Sequence, residues 1–212
     1  MNKKAIVLLS GGLDSLVALD IVLKEFEVVE TLTFDYGQKS AEEERSAAKE
    51  IAKKYQINNK VIKLPFLKEI TNNALTDDNN SSFNELKSVW VPNRNGLFLN
   101  IAACYWDSQD IDVIVFGANK EESGSFSDNK NEYVEICNSS FEYSTLKKPI
   151  VLAPCSNMNK IDLVNYMIDN NISFDLIKSC YRNQKELNKK HCSECMSCKL
   201  LYNANDKNSK CD

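Results

Sequence analysis

The chain has 212 residues, 43% of them hydrophobic and 26% charged, with a formal net charge of −4. That length suits one domain, or one domain with an appendage, and the composition is that of a soluble globular protein. The acidic balance argues against a dedicated nucleic-acid binder. No apolar run approaches the roughly 20 residues of a membrane span, and Met1-Asn2-Lys3-Lys4 leads straight into a strand rather than a signal peptide.

Taken in chain order, Ala5-Ile6-Val7-Leu8-Leu9 reads as a buried parallel strand and residues 16–23 as a helix. Between them lies Ser10-Gly11-Gly12-Leu13-Asp14-Ser15. A strand, a glycine turn and a helix N-terminus make a cradle for an anion, because free backbone N–H groups and the helix dipole both favour negative charge. Ser10 and Ser15 add hydroxyl donors, and Asp14 is placed to orient them or to help hold Mg²⁺. No Gly-Lys-Ser/Thr follows, so this is not a Walker A loop.

Residues 28–34 read as a second strand ending in the turn Asp35-Tyr36-Gly37-Gln38. Ser40-x-x-Glu43 reads as a capping box for a helix to about Tyr55, with Ala47, Ala48, Ile51, Ala52 and Tyr55 on its apolar side. Residues 61–64 form a short strand stopped by Pro65, and 66–92 read as a long mobile connection. Further elements are a helix at 97–106, a strand at 112–116 ending at Gly117, and a polar loop over 118–131. A helix at 132–143, a short strand at 150–152 and a helix capped by Asn159 follow, the last turning Ile161, Val164, Met167 and Ile168 inward. The alternation predicts an α/β fold, a Rossmann-like parallel sheet of about five strands with helices on both faces. In such a sheet the loops at Ser10, Asp35 and Gly117 converge beyond the strands' carboxyl ends, at the topological switch point.

Eight cysteines are present, four of them at Cys180, Cys192, Cys195 and Cys198 in the pattern C-x11-C-x2-C-x2-C. Four thiolates so spaced suit a tetrahedral structural Zn²⁺, in a small C-terminal segment at 177–212 appended to a nucleotide-binding domain at 1–176. A redox pair, an Fe–S cluster, and His191 in place of one cysteine are the other readings. Residues 178–212 carry eight Lys or Arg against four Asp or Glu, which would soften the charge of a tetrathiolate centre. Cys211, in the polar tail, reads as an incidental free thiol.

Ser10-Gly11-Gly12-Leu13-Asp14-Ser15 resembles the S-G-G-x-D-S signature of the PP-loop ATP pyrophosphatases. Four further stretches narrow the resemblance: Asp35-Tyr36-Gly37-Gln38, Val91-Pro92-Asn93-Arg94-Asn95, Gly117-x-Asn119 and Ser179-Cys180-Tyr181. With the cysteine cluster and in this order, they are similar to the 7-cyano-7-deazaguanine synthase (QueC) family. The resemblance implies ATP cleavage between α and β phosphates, and conversion of 7-carboxy-7-deazaguanine and ammonia to the nitrile preQ0 for queuosine synthesis. It also implies a cytoplasmic homodimer with small-molecule substrates, ATP, Mg²⁺ and one structural Zn²⁺, and no nucleic-acid or membrane partner.

For individual residues, the resemblance implies an ATP site over Leu9, Ser10, Gly11, Gly12, Leu13, Asp14, Ser15, Leu16, Val17, Ala18 and Leu19, with Phe34 and Asp35 at the adenine. Ser10, Asp14, Ser15 and Arg94 are the expected catalytic residues. Arg94, Asn119, Glu122, Phe126, Asp128 and Glu132 are the expected contacts to the deazapurine. The chain departs from the family pattern at Ser193, where glycine is usual, in a longer Cys180–Cys192 connection, and at residues 123–130. A related ligase acting on another deazapurine, or joining one to a protein, and a non-catalytic nucleotide-binding module are the alternative readings.

Overall fold

The computed structural model describes residues 3–71, 73–77, 86–178, 180–181, 192–195, 198–199 and 201–202, with only the backbone described at residues 86 and 87. Among these, five parallel strands form one sheet in the order β3-β2-β1-β4-β5. They are β1 (Lys4–Leu8), β2 (Glu27–Asp35), β3 (Asn58–Lys63), β4 (Val113–Val115) and β5 (Ile150–Leu152). The main helices are α1 (Leu13–Val22), α2 (Ala41–Lys54), α3 (Phe66–Ile70), α4 (Arg94–Trp106), α5 (Lys120–Ser123), α6 (Asn131–Ser144) and α7 (Lys160–Asp169).

After Lys4, strand β1 is apolar because it lies between β2 and β4 and is covered on both faces. Ala5, Val7 and Leu9 pack with α1, α2 and α7, while Ile6 and Leu8 pack with α4 and α6 on the other face. The connections β1–β2–β3 run to one side of β1, and the chain then crosses back to place β4 on its other side. The switch point therefore falls between the carboxyl ends of β1 and β4, where α1 begins.

Several local expectations are corrected. Helix α1 starts at Leu13, so Leu13, Asp14 and Ser15 form its first turn instead of a loop before it. Ser40 does not form a capping box; its hydroxyl turns to the Glu44 carboxylate at 2.5 Å. The 66–92 connection is not structureless, because α3 occupies Phe66–Ile70 and residues 73–76 are buried. Main-chain bonds fix that turn: Ala74 N–H donates to Ser88 O at 2.6 Å and Lys39 N–H to Leu75 O at 2.8 Å. The rest of the segment expected to be mobile, at residues 72 and 78–85, lies outside the described residues, as do Ser179, His191 and Cys211. In α7 the capping box at Asn159 and Asp162 forms. Ile168, however, is 49% exposed, and Leu163 takes the inward position beside Val164 and Met167.

Candidate functional site

The loop after β1 is held from both sides. Gly11 has φ +80° and sits against α2, where a Cβ would lie 2.8 Å from Ala47 Cβ and 2.9 Å from Glu44 O. Its carbonyl accepts the Lys178 N–H at 2.7 Å. Ser10 and Ser15 hydroxyls lie 3.1 Å apart; the Gly12 N–H donates to Ser10 Oγ at 3.3 Å, and Ser15 Oγ donates to Gly12 O at 3.1 Å. Across the switch point, a Cβ on Gly117 would meet Ser15 N at 2.7 Å and Asp14 C at 2.8 Å, so only glycine lets β4 end this close to α1.

The first turn of α1 faces a cavity of about 230 Å³, lined by Ser10, Gly12, Leu13, Asp14 and Ser15 together with Arg94, Glu122 and Asp128. Phe34, Tyr36, Glu44, Trp90, Phe98, Phe126, Lys178, Cys180 and Tyr181 complete much of its wall. Asp14 is the centre of a half-buried charge cluster around the buried Lys160. Lys160 Nζ donates to both its oxygens at 2.8 and 2.7 Å and lies 3.4 Å from Glu122 Oε1, while Asn119 Nδ2 donates to Asp14 Oδ1 at 3.0 Å. Burial pushes the Asp14 carboxyl above its ordinary value, with Lys160 opposing. Burial acts on Glu122 too, but Lys160, Asn119 and Arg94 outweigh it and hold that carboxyl below its ordinary value. Burial disfavours the Lys160 ammonium, yet the two carboxylates keep it charged well above a free lysine.

Arg94 opens α4 and donates from Nη1 to the Tyr36 hydroxyl at 3.2 Å. Glu44 accepts from Ser40 and, at 2.8 Å, from Gln38 Nε2; burial raises its carboxyl pKa. Two ring pairs line the cavity, Phe34 on Phe98 at 4.1 Å and Trp90 on Phe126 at 5.2 Å.

The fold thus gathers Leu9, Ser10, Gly12, Leu13, Asp14, Ser15, Phe34, Arg94, Glu122, Phe126 and Asp128 around one cavity. Asn119 joins them from behind Asp14. Others are not brought there. Leu16, Val17, Ala18 and Leu19 are fully buried in the core, because α1 is enclosed on all sides by the sheet, α2 and α7. Gly11 supports the loop from beneath. Asp35 is drawn away to an ion pair with Arg45, and Glu132 is exposed in the first turn of α6.

The sequence gives no role to Lys160, Glu44, Trp90 or Lys178, and carries Tyr36 and Tyr181 only within motifs, yet all six belong to the cavity or its charge cluster. One signal for Lys160 was present. It directly follows the helix cap Asn159, and a cation at a helix N-terminus opposes the dipole unless an anion holds it.

The Sγ atoms of Cys180, Cys192, Cys195 and Cys198 all lie within 4.8 Å of one another, and those of Cys192 and Cys198 are 3.9 Å apart. The N–H groups of Glu194 and Cys195 donate to Cys192 Sγ at 3.4 and 3.2 Å. Ser193 reaches this turn with φ 61°, the left-handed conformation that explains a preference for glycine there. A tetrahedral ion with bonds of about 2.3 Å separates its sulfurs by roughly 3.8 Å, so the donor set fits one metal ion.

A doubly wound parallel sheet with a serine–glycine loop at the switch point defines a nucleotide-binding α/β protein of the PP-loop kind. Solved structures agree at the level of fold. The U34-tRNA thiolase NcsA from Methanococcus maripaludis, which holds a [4Fe-4S] cluster, superposes with TM-score 0.55 at 13% identity, covering 97% of this chain and 72% of its own. The NH3-dependent NAD synthetase from Campylobacter jejuni does so with TM-score 0.52 at 15% identity, covering 99% and 85%. Within that class the chain belongs to the QueC family, described as queuosine biosynthesis protein QueC, whose model matches residues 4–209. The 7-cyano-7-deazaguanine synthase of Pelotomaculum thermopropionicum is 44% identical over 92% of this chain and 93% of its own length. That of Carboxydothermus hydrogenoformans is 40% identical over 95% and 98%.

Proposed function

We propose that this protein is an ATP-dependent carbon–nitrogen ligase that converts 7-carboxy-7-deazaguanine and ammonia into 7-cyano-7-deazaguanine. The observation that carries this reading is identity of 36–44% to enzymes of that name over 92% of this chain, combined with a cavity that joins an anion cradle to cationic and aromatic walls.

A carboxylate is a poor electrophile because oxide is a poor leaving group. Transfer of AMP to one carboxylate oxygen makes that oxygen a good leaving group, and ammonia attack then gives the amide. A second AMP transfer, to the amide oxygen, allows elimination to the nitrile. One cavity serves both steps. ATP enters as its magnesium complex, with its phosphates at the first turn of α1. There the free N–H groups and the Ser10 and Ser15 hydroxyls stabilise charge on the departing pyrophosphate.

Asp14 accepts from Lys160 on both oxygens and from Asn119 on Oδ1, so it positions Lys160 beside the cradle. Lys160, buried behind Asp14 and Glu122, offsets the charge of these two carboxylates, which would otherwise repel the phosphates. Arg94 pairs with the substrate carboxylate through its planar fork, its orientation set by Tyr36. Glu122 and Asp128 accept from the donor edge of the deazapurine. Phe34 lies beside the adenine.

The four cysteines hold one Zn²⁺ as a structural ion. A four-iron cluster places iron and sulfide between its thiolates and spreads them further than these sulfurs are spread. Cys180 and Tyr181 are also cavity wall, so the ion fixes a side of the active site and residues 177–212 act as an extension of one catalytic unit. The enzyme works as a cytoplasmic homodimer on free small molecules, as the family resemblance implies.

The test is direct. Pure protein with carboxydeazaguanine, ATP and ammonium at neutral pH yields the nitrile and AMP, each absent when one substrate is left out. Failure to form nitrile at enzyme concentrations that bind ATP would overturn the assignment.

A further inference from the structure

Trp90 and Phe126 stack with their planes 11° from parallel and their centroids 5.2 Å apart. They come from distant parts of the chain. Trp90 follows the 3-10 turn Leu86–Val89, and Phe126 follows α5 in the connection from β4 to α6. Both line the cavity and both are partly exposed, unlike Phe34 at the end of β2, which is 6% exposed.

Next to Phe126, Asp128 and Asn129 are 8% and 6% exposed, with Asn129 Nδ2 donating to Asp128 Oδ1 at 3.2 Å. This corner offers two aromatic faces, a carboxylate acceptor and a side-chain amide. That set suits a flat bicyclic heterocycle with N–H donors along one edge, and it contains none of the backbone cradle that suits phosphate. Phe126 belongs to the connection after β4, whereas Phe34 ends β2 and the serine loop follows β1.

A flat ring held between two others needs about 7 Å between the outer pair, two contacts of roughly 3.5 Å. At 5.2 Å the two rings leave no such slot, so one must swing for a ring to enter. Phe126 sits in a connection between a four-residue helix and a three-residue 3-10 turn, whereas Trp90 directly precedes the buried Val91 at the head of α4.

We propose that Trp90 and Phe126 are a stacking clamp that admits the planar heterocyclic acid and sets acceptor specificity, with Phe126 as its moving jaw. This rests on the ligase reading above and adds to it the part of the cavity that selects the acceptor.

The chain has two tryptophans, so Trp106→Phe leaves Trp90 as the sole indole reporter. Its emission is followed while carboxydeazaguanine, or a non-hydrolysable ATP analogue, is titrated in. The clamp predicts saturable quenching by the acid and none by the nucleotide alone. In the same background, Phe126→Ala weakens binding of the acid by about tenfold or more, while Phe126→Tyr restores it and nucleotide affinity stays unchanged.

Equal loss of nucleotide and acid binding in Phe126→Ala, or quenching by the nucleotide alone, would overturn the clamp. So would a Trp90 signal indifferent to an acid the enzyme turns over. Quenching by the acid or by guanine, without any nitrile product, would uphold the clamp and contradict the ligase assignment instead.

Discussion

Lys160→Met tests the charge cluster on which the proposed ATP site depends. Its ammonium lies 2.7 Å from Asp14 Oδ2 and 3.4 Å from Glu122 Oε1. At an effective dielectric constant of about 20, unit charges so placed attract by roughly 6 and 5 kcal/mol. Those gross terms are set against the desolvation of three ions, so the measurable quantity is the penalty for orphaning the carboxylates, about 3–5 kcal/mol for a buried pair. Glu122, with its side chain 35% exposed, contributes the smaller part, since solvent screens it.

The sign of the pH effect follows from burial, which raises the folded-state pKa of Asp14 above its value in the unfolded chain. Removing the lysine leaves that effect unopposed. The folded variant then binds a proton the unfolded chain does not, from the raised value down to about pH 4. Its stability therefore recovers as pH falls through that window, by up to about 1.4 kcal/mol per pH unit, and declines as pH rises. Urea unfolding of parent and variant at several pH values between 5 and 8 measures this. Asp14→Asn combined with Lys160→Met restores much of the loss, because neither charge is then stranded. A loss below about 1 kcal/mol at pH 7.5, or one that does not change with pH, would refute the reasoning.

Gly117→Ala drives a methyl into the first turn of α1, 2.7 Å from Ser15 N. Over-packing of that kind costs about 1–3 kcal/mol, and ATP consumption falls more than about tenfold when assayed by AMP release. Ser193→Gly removes a left-handed non-glycine residue at φ 61°. It raises stability by about 0.5 kcal/mol in thermal unfolding and leaves turnover unchanged, the gain being the strain relieved less the extra freedom of the unfolded chain. Elemental analysis of protein purified without added metal gives about one zinc per chain. A strong chelator then weakens ATP-analogue binding in calorimetry, because Cys180 and Tyr181 leave the cavity wall, and an iron–sulfur absorption band would contradict this.

Most of the sheet was legible because β4, β5 and β1 beyond Lys4 are short apolar runs separated by helix-period segments, and β1 is buried on both faces as a central parallel strand must be. Strand β3, Asn58–Lys63, is largely polar and only its Val61–Ile62 end carries the signal. The anion cradle was legible for a similar local reason: glycine, hydroxyl and helix start are consecutive. The four cysteines were legible by spacing, although Cys180 reaches the others only through the fold. Long-range partners were the part that could not be read. Lys160 lies 146 residues from Asp14, and only the packing of α7 beside α1 brings them together. Trp90 and Phe126 meet through the same kind of coincidence of distant loops. Ser40 carried a valid capping pattern, but the half-buried Glu44, one residue beyond Glu43, competed for its hydroxyl and won. Ile168 had a helical spacing suited to the core, yet the buried stripe of α7 runs through Lys160, Leu163, Val164 and Met167 and leaves Ile168 outside it.

The central claim is that one cavity activates the same carbon twice by AMP transfer, and oxygen labelling tests it most directly. Carboxydeazaguanine carrying ¹⁸O in both carboxylate oxygens is turned over with ATP and ammonia, and the nucleotide product is analysed by mass spectrometry and ³¹P NMR. Double adenylation predicts two AMP molecules for each nitrile, each bearing one ¹⁸O in its phosphate. Unlabelled AMP, or ADP with the label in inorganic phosphate, would contradict it.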